Sequence, residues 1–298
     1  MNNDKPVTTQ TFIYLLAVYI IWGSTYLGLK VATETTPAFF LSSARFFLAG
    51  LLLLAIGRWR EKVLPNRQQL GNAVFVGILL IGIGNTTVAL AVHYMPSGLV
   101  ALLVAAMPAW FMVLDWAFFS RKKPSATTLL GIAVGFAGLF LLFNPFGNQH
   151  VESFPLWPVL IVILGNICWA VGSLLVQRWP MPAQITSTAI QMLAGAAFAL
   201  VVSLVLETDQ VGSFLRMTHR GWLAYGYLVF IGSLVGYTSY SWLARNAPPR
   251  LTSTYAYINP VVALFLGWAI GHESITSMVA IASAIVVGGV VLMTLGKK

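Results

Sequence analysis

One arginine, Arg45, lies inside a long apolar run, and its charge sets the first chemical constraint on this sequence. It comes about eight residues into the run, which corresponds to a depth of about 12 Å along a helix. A charge at that depth costs at least about 2.5–3.5 kcal/mol, so Arg45 must face the protein interior or a wet cavity. Its guanidinium can bind a carboxylate through two parallel hydrogen bonds. The alternative is a structural arginine that holds backbone carbonyls or closes a gate.

A second set of charged groups lies nearer the ends of the apolar runs and could act in gating or proton coupling. Asp115 lies inside a run but close to its end, where we favour contact with interfacial water or with the basic residues at 121–123 over a role as proton carrier. The other gate or coupling candidates are Lys30, Glu34, His93 and Glu273. Lys30 and Glu34 are one helical turn apart, which favours a local ion pair or an outer gate element. For His93 and Glu273 we favour a solvated interfacial role.

Aromatic, amide and hydroxyl side chains at middle depth can line a substrate cavity. They are Trp22, Thr25, Asn85, Trp110, Trp169, Gln191, Tyr237, Tyr255, Tyr257 and Asn259. A polar stripe that should not face lipid is formed, at helical spacing, by Ser233, Tyr237, Tyr240 and Ser241. Polar groups beside flat apolar surfaces suit a zwitterionic or amphipathic metabolite. The alternative for each residue is a hydrogen bond between helices, which membrane bundles use widely.

The sequence lacks the patterns typical of catalysis, metal binding and nucleotide binding. The four histidines are dispersed and have no ligand spacing: His93, His150, His219 and His272. No GxxxxGK[ST], HExxH or GxSxG sequence occurs. One cysteine, Cys168, permits no internal disulfide. We therefore expect no catalytic residue, cofactor or metal, and a membrane-embedded enzyme is a remote alternative.

The elements that position these residues must lie in a membrane, because 58% of the 298 residues are hydrophobic and only 8% are charged. Soluble domains are about 25% charged. The apolar runs are long enough to cross a hydrocarbon core of about 30 Å as helices. We predict ten spans, at about 12–31, 37–57, 72–92, 97–119, 127–144, 156–176, 184–206, 221–243, 251–271 and 276–295.

The basic residues predict the orientation of these spans. If both termini are cytoplasmic, the inner segments hold 13 of the 17 Lys and Arg, and the outer loops hold only Arg216 and Arg220. The net charge of +9 therefore comes mainly from basic residues in the predicted inner segments, and it does not indicate a nucleic-acid partner. The first apolar run has no small-residue cleavage site, so we interpret it as a retained helix. The predicted location is the plasma membrane, crossed many times.

The two halves of the chain resemble each other. The matched pairs are Gly84 and Gly236, Pro108 and Pro260, and Trp22 and Trp169. The first two pairs are 152 residues apart and the third is 147 apart. We predict five-helix repeats at 1–145 and 156–298. Because five is an odd number, the second copy enters the membrane from the opposite side and is inverted, as is common in secondary transporters. Helix interruptions at Pro108 and Pro260 would indicate a midplane site, and packing kinks are the alternative.

Short motifs along the chain carry a family resemblance. They are Trp22-Gly23-Ser24-Thr25, Pro37 followed by Arg45-Phe46, Gly84-Asn85, Pro96-Ser97-Gly98 leading to Pro108, and Tyr257-Ile258-Asn259-Pro260-Val261-Val262 followed by Gly271-His272-Glu273. In this combination the sequence resembles the EamA family of the drug/metabolite transporter superfamily over essentially its whole length. The resemblance implies two inverted EamA repeats of five helices around a central cavity in a bacterial inner membrane. It also implies export of metabolites or amino acids, without naming the substrate.

Together these features predict an all-α membrane protein that works as a secondary transporter. The most direct reading is an exporter of amino acids or related small amphipathic metabolites, because the charge of Arg45 favours an anionic or zwitterionic substrate. The alternative is a multidrug exporter that binds lipophilic cations over aromatic faces. Small-residue faces, which pack within the bundle by default or else form a homodimer, contain Gly131, Gly135, Gly138, Gly288 and Gly289.

Overall fold

The protein is all-helical in the part that the structure describes. This computed structural model describes residues 8–121, 125–142, 155–247, 249–270 and 275–295, and no strand occurs among them. The first seven helices are α1 (Thr9–Ala32), α2 (Ala38–Arg60), α3 (Arg67–Tyr94), α4 (Ser97–Phe119), α5 (Ala126–Leu142), α6 (Trp157–Val176) and α7 (Gln184–Leu206). Helix α8 runs through the segments His219–Tyr227, Leu228–Tyr237 and Thr238–Asn246, followed by α9 (Tyr255–Ala269) and α10 (Ser277–Leu295). The short helices Gln210–Leu215 and Pro249–Thr252 flank α8.

Local sequence explains where several helices begin. Thr8 accepts from the backbone of Thr11 and starts α1 with a capping box, and Asn66 does the same with Gln69 for α3. The residues that precede α2 and α4 are Pro37 and Pro96, whose rings fix the backbone φ angle and which have no N–H group. The helices thus start at residues that satisfy or remove the unpaired N–H groups of a first turn.

The predicted span at 251–271 needs correction, because a turn at 253–254 divides it into Pro249–Thr252 and α9. Thr254 Oγ1 donates to Leu251 O at 2.6 Å, and Thr252 Oγ1 donates to Leu243 O at 3.2 Å. Hydroxyl side chains that bond nearby carbonyls compete with a continuous helix. Helix α4 is also interrupted, at 105–106, just before Pro108. Pro260 instead lies inside α9, which continues through it.

Within the described ranges, six helices are long and apolar enough to cross a membrane by length and composition, namely α1, α2, α3, α4, α6 and α7. Shorter apolar stretches occur in α5, α9 and α10, at Ala126–Gly138, Ile258–Ala269 and Ser277–Gly289. Large apolar side chains stand exposed on these helices, among them Phe12, Leu16, Val205 and Phe265. Such surfaces suit lipid contact, because a bilayer removes them from water. The total of ten spans remains a prediction.

The helices pair across the two halves of the chain. Helix α1 packs against α8 and α9, whereas α6 packs against α3 and α4. Helix α2 lies along α7, and α5 lies along α10. In the α5–α10 pair, a Cβ on Gly289 would be 2.4 Å from Gly135 N, so the predicted small-residue faces meet within the chain. Gly288 has no such neighbour within 4 Å among the described residues.

Two glutamates connect the ends of α2 and α7 reciprocally. Glu207 follows α7, and its carboxylate accepts from Phe39 N and Phe40 N at the start of α2, at 2.8 and 2.9 Å. Glu61 follows α2, and its carboxylate accepts from the backbone N of residues 185 and 186 at the start of α7, at 2.7 and 2.8 Å. The two helices are therefore antiparallel, and the N terminus of each is capped by the glutamate that follows the other. Acidic groups are favoured at helix N termini by the helix dipole.

Candidate functional site

Arg45 is buried inside the bundle, as its depth in the sequence requires. Its side chain belongs to a residue that is only 2% exposed, and its Nε donates to Ser233 Oγ of α8 at 2.7 Å. Nη1 has no hydrogen-bond partner among the described residues. An N–H of a buried cation without a partner is costly, so this atom can bind an incoming acceptor.

A cavity lies beside Arg45, in the half of the bundle nearer the predicted outer end. Its walls come from α1, α2, α3, α4, α6 and α9. The lining residues are Trp22, Thr25, Tyr26, Leu29, Arg45, Gly84, Asn85, Val88, Val104, Met107, Asn166, Trp169 and Tyr255. The centres of water-sized molecules have about 50 Å³ of space in it, so a larger metabolite requires its walls to move apart.

Aromatic rings close the cavity on its inner side. The ring of Trp22 lies 4.9 Å from that of Tyr240, 5.2 Å from Tyr255 and 5.4 Å from Trp169, between centroids. Trp169 Nε1 donates to Tyr240 OH at 2.8 Å, and Trp22 Nε1 donates to Gly232 O at 3.3 Å. Because these N–H groups are already bonded within the protein, the two indoles have no hydrogen-bond donor left for a ligand.

The predicted polar stripe of α8 is buried within the bundle, where Ser233 contacts α2, Tyr240 contacts α6, and Tyr237 and Ser241 contact α7. Its four residues are at most 6% exposed. Tyr237 OH donates to Gln191 Oε1 at 2.8 Å, and Gln191 Nε2 donates to Ser187 Oγ at 3.2 Å. Ser241 Oγ and Thr188 Oγ1 share a hydrogen bond of 2.8 Å. Gln191 and Tyr237 thus satisfy each other and do not line the cavity.

The asparagines near the cavity differ in how far their amides are satisfied. Asn166 Nδ2 donates to Leu103 O at 2.9 Å. Asn259, with its amide oriented so that Nδ2 faces carbonyls, donates to Tyr19 O at 3.2 Å and Tyr255 O at 3.0 Å. Asn85 Oδ1 is buried and has no partner among the described residues. Asn85 is therefore the asparagine with a fully buried acceptor that the described residues leave unsatisfied.

The remaining predicted cavity residues differ in whether they line the cavity. Thr25 lines the cavity, and its Oγ1 donates to Trp22 O at 2.8 Å. Trp110 does not line the cavity, and its Nε1 is buried without a partner among the described residues. The side chain of Tyr257 and the whole of Glu273 lie outside the described residues.

The charged gate candidates lie away from the cavity, towards the two ends of the bundle. Asp115 forms an ion pair of 2.6 Å with Arg178 just after α6; Lys122 and Lys123, which are among its predicted partners, lie outside the described residues. Each side chain of this pair is about one-third exposed. At the other end, His93 Nδ1 lies 3.1 Å from Thr33 O; Lys30 is half-buried and Glu34 is exposed.

Sequence reasoning omitted two residues that line the cavity and two that cap helices. Tyr26 and Asn166 line the cavity, and both follow from helical spacing, since they are four residues after Trp22 and three before Trp169. The capping role of Glu61 and Glu207 had no such signal, because each contact joins residues more than 100 positions apart. No group of three or more His, Cys, Asp or Glu that could hold a metal occurs in the described ranges.

Comparison with known proteins assigns the family. The model of the EamA-like transporter family matches residues 9–144 and, separately, residues 156–295. The chain belongs to the EamA-like transporter family. It is thus a transmembrane transporter of the EamA-like type, in agreement with its apolar helices. The family name indicates transport rather than catalysis.

Individual EamA-like relatives align over nearly the full length. The inner membrane transporter YedA of Escherichia coli (strain K12), described as uncharacterized, is 37% identical over 284 residues, which cover 95% of this chain and 90% of YedA. Protein PecM of Dickeya dadantii is 26% identical, over 90% of this chain and 88% of PecM. A solved crystal structure with 20% identity has a TM-score of 0.70 and covers 97% of this chain and 98% of its own, so the fold is shared.

Proposed function

We propose that this EamA-like chain is a secondary active transporter that exports a small carboxylate-bearing metabolite, such as an amino acid, by alternating access. The observation that carries the substrate class is Arg45, a guanidinium buried in the bundle beside a cavity. Its Nη1 has no partner among the described residues, and the cavity wall supplies no carboxylate to neutralise it. A substrate carboxylate supplies both the acceptor and the counter-charge.

Alternating access follows from an inverted repeat of five helices, 1–145 and 156–298. Three observations support this repeat. The family model matches twice. The π-helical segments Ile78–Asn85 and Leu228–Tyr237 end 152 residues apart, the offset found for Gly84 and Gly236. The two glutamate caps are 146 residues apart and join the same pair of helices in opposite directions. Two related halves of opposite orientation can exchange open sides around a midplane site.

The membrane placement rests on the relatives and on charge. The YedA relative is named an inner membrane transporter, and the basic residues collect on one predicted side. We place the chain in the inner membrane as a multi-pass protein with both termini in the cytoplasm. The cavity then lies on the outer side, and the aromatic wall closes the route to the cytoplasm.

A second candidate function is export of lipophilic cations. The ring faces of Trp22, Trp169, Tyr240 and Tyr255 favour it, because cations bind over aromatic faces. Arg45 opposes it, since a buried positive charge repels a cation in the same cavity. We therefore rank it second.

The test is mass spectrometry of the medium from cells that express the protein, Arg45→Ala or Arg45→Met, with membrane levels matched. Arg45→Met keeps most of the side-chain length and removes the charge. We expect a carboxylate-bearing compound to be enriched by the intact protein and to fall at least tenfold with both variants. Enrichment of a cation that Arg45→Met leaves unchanged would support the second candidate. Media indistinguishable from those of cells without the protein would refute export.

A further inference from the structure

Arg45 and Asn85 line one cavity, and each has a buried polar atom without a partner among the described residues, a donor on Arg45 and an acceptor on Asn85. Arg45 reaches it from α2, and Asn85 reaches it from α3. Among the described residues, neither Arg45 Nη1 nor Asn85 Oδ1 makes a hydrogen bond. A buried polar atom left without a partner costs about 1–3 kcal/mol. Two such atoms of opposite type on residues that line one cavity need an explanation, and a ligand that reaches both as the walls move apart is one that satisfies them.

The other half of the chain contains the equivalent pair in a satisfied form. Gln191 is 146 residues after Arg45, the offset of the glutamate caps, and Tyr237 is 152 after Asn85. Asn85 and Tyr237 each end a π-helical segment, a feature common at functional sites. Tyr237 OH donates to Gln191 Oε1 at 2.8 Å, and Gln191 and Tyr237 are each 1% exposed. The bundle therefore has room to satisfy such a pair internally, and at Arg45 and Asn85 it does not.

We infer that Asn85 determines substrate specificity by accepting a hydrogen bond from a donor group on the same molecule whose carboxylate binds Arg45. This inference rests on the proposed function and narrows it. The ligand class is a carboxylic acid with an N–H donor close to the carboxylate, which describes an α-amino acid zwitterion. An acid without the donor leaves Asn85 Oδ1 unsatisfied and binds less well, because a site built for a hydrogen bond rejects the analogue that lacks it.

The aromatic wall suits the same ligand. The indole N–H groups of Trp22 and Trp169 are bonded to Gly232 O and Tyr240 OH. Their rings therefore offer faces, which attract an ammonium group and pack against an apolar side chain. Asn85 then supplies the directional contact to the ammonium group, and the rings supply the non-directional one.

Asn166 provides a matched control for Asn85. Both are asparagines that line the cavity, but Asn166 Nδ2 already donates to Leu103 O at 2.9 Å. The donor side of its amide therefore has a fixed partner. Asn166→Leu tests whether the preference depends on Asn85 in particular or on any asparagine of the cavity wall.

The experiment measures ligand binding to the full-length protein in lipid nanodiscs by calorimetry. The probes are two matched sets, L-alanine with propionate and ethylamine, and L-phenylalanine with 3-phenylpropionate and phenethylamine. We expect the wild type to bind at least one amino acid at least tenfold more tightly than its deamino acid. Asn85→Leu is expected to abolish that preference and to leave binding of the deamino acid within about threefold. Asn166→Leu is expected to keep the preference.

A second variant tests the pairing with Arg45. Asn85→Asp is expected to weaken binding of the deamino acid at least tenfold, because the new carboxylate repels the ligand carboxylate and competes with it for the guanidinium. Equal binding of amino and deamino acids by the wild type, or a preference that survives Asn85→Leu, would overturn the role of Asn85 and leave the proposed function intact. If no carboxylate in either set binds, the proposed substrate class fails and this inference fails with it.

Discussion

Glu61 and Glu207 allow a quantitative test of how the two halves of the bundle are joined. Each carboxylate accepts two backbone N–H groups at the start of the opposite helix, at 2.7–2.9 Å. Replacing either glutamate by glutamine keeps the size of the side chain. It turns one of the two accepting oxygens into an NH₂ group that faces an N–H donor, and it removes the charge that the helix dipole favours.

The magnitude follows from these contacts. A hydrogen bond to a charged group contributes about 1.5–3 kcal/mol, and an acid at a helix N terminus adds about 0.3–1 kcal/mol. We expect Glu61→Gln and Glu207→Gln each to lower the free energy of unfolding by about 2 kcal/mol. Helix α2 has 23 residues, so the two caps are about 35 Å apart. Effects at that distance add, and the double variant should lose about 4 kcal/mol.

The assay is reversible unfolding of the purified protein by SDS in mixed micelles, followed by the tryptophan signal. Glu34→Gln is the control, because Glu34 is exposed and caps no helix in the described part of the chain. A surface change of this kind alters stability by less than about 0.5 kcal/mol. The reasoning fails if both cap variants behave like Glu34→Gln. A large loss at one cap and none at the other would refute their equivalence in the two halves.

Three further predictions concern packing, coupling and orientation. Gly77→Ala is expected to lower the free energy of unfolding by about 1–3 kcal/mol, because its Cβ would be 2.4 Å from Gln191 O. The control Gly71→Ala has no described atom within 4 Å of its Cβ and is expected to keep or raise stability. Equal stabilities of the two variants in the SDS assay would contradict the α3–α7 contact. Asp115→Asn removes an ion pair with Arg178 that is about one-third exposed, so we expect the free energy of unfolding to fall by at most about 1 kcal/mol. The ratio of concentrative transport to counterflow in proteoliposomes is expected to stay unchanged. A selective loss of concentrative transport would instead make Asp115 a proton carrier. A fluorescent protein fused to the C terminus is expected to fluoresce and an alkaline phosphatase fusion to be inactive, and the opposite pair of results would reverse the orientation.

Much of the fold was predictable because it depends on local and general physics. Long apolar runs exceed what a soluble globule can bury, and capping residues such as Thr8 and Asn66 start helices from within their own turn. The turn at 253–254 was not predictable from hydropathy, since it depends on hydroxyl groups that bond to carbonyls of α8 and of the preceding turn.

The candidate site divides in the same way. The sequence by itself determined that Arg45 is buried within the protein, because a charge at that depth is too costly against lipid in any arrangement of the helices. It could not determine that Ser233 binds Arg45, that Arg178 pairs with Asp115, or which of the polar residues keep a free atom. Those facts depend on the rotation and register of helices that are far apart along the chain. Only the tertiary structure decided that Gln191 and Tyr237 satisfy each other, whereas Arg45 and Asn85 face a cavity.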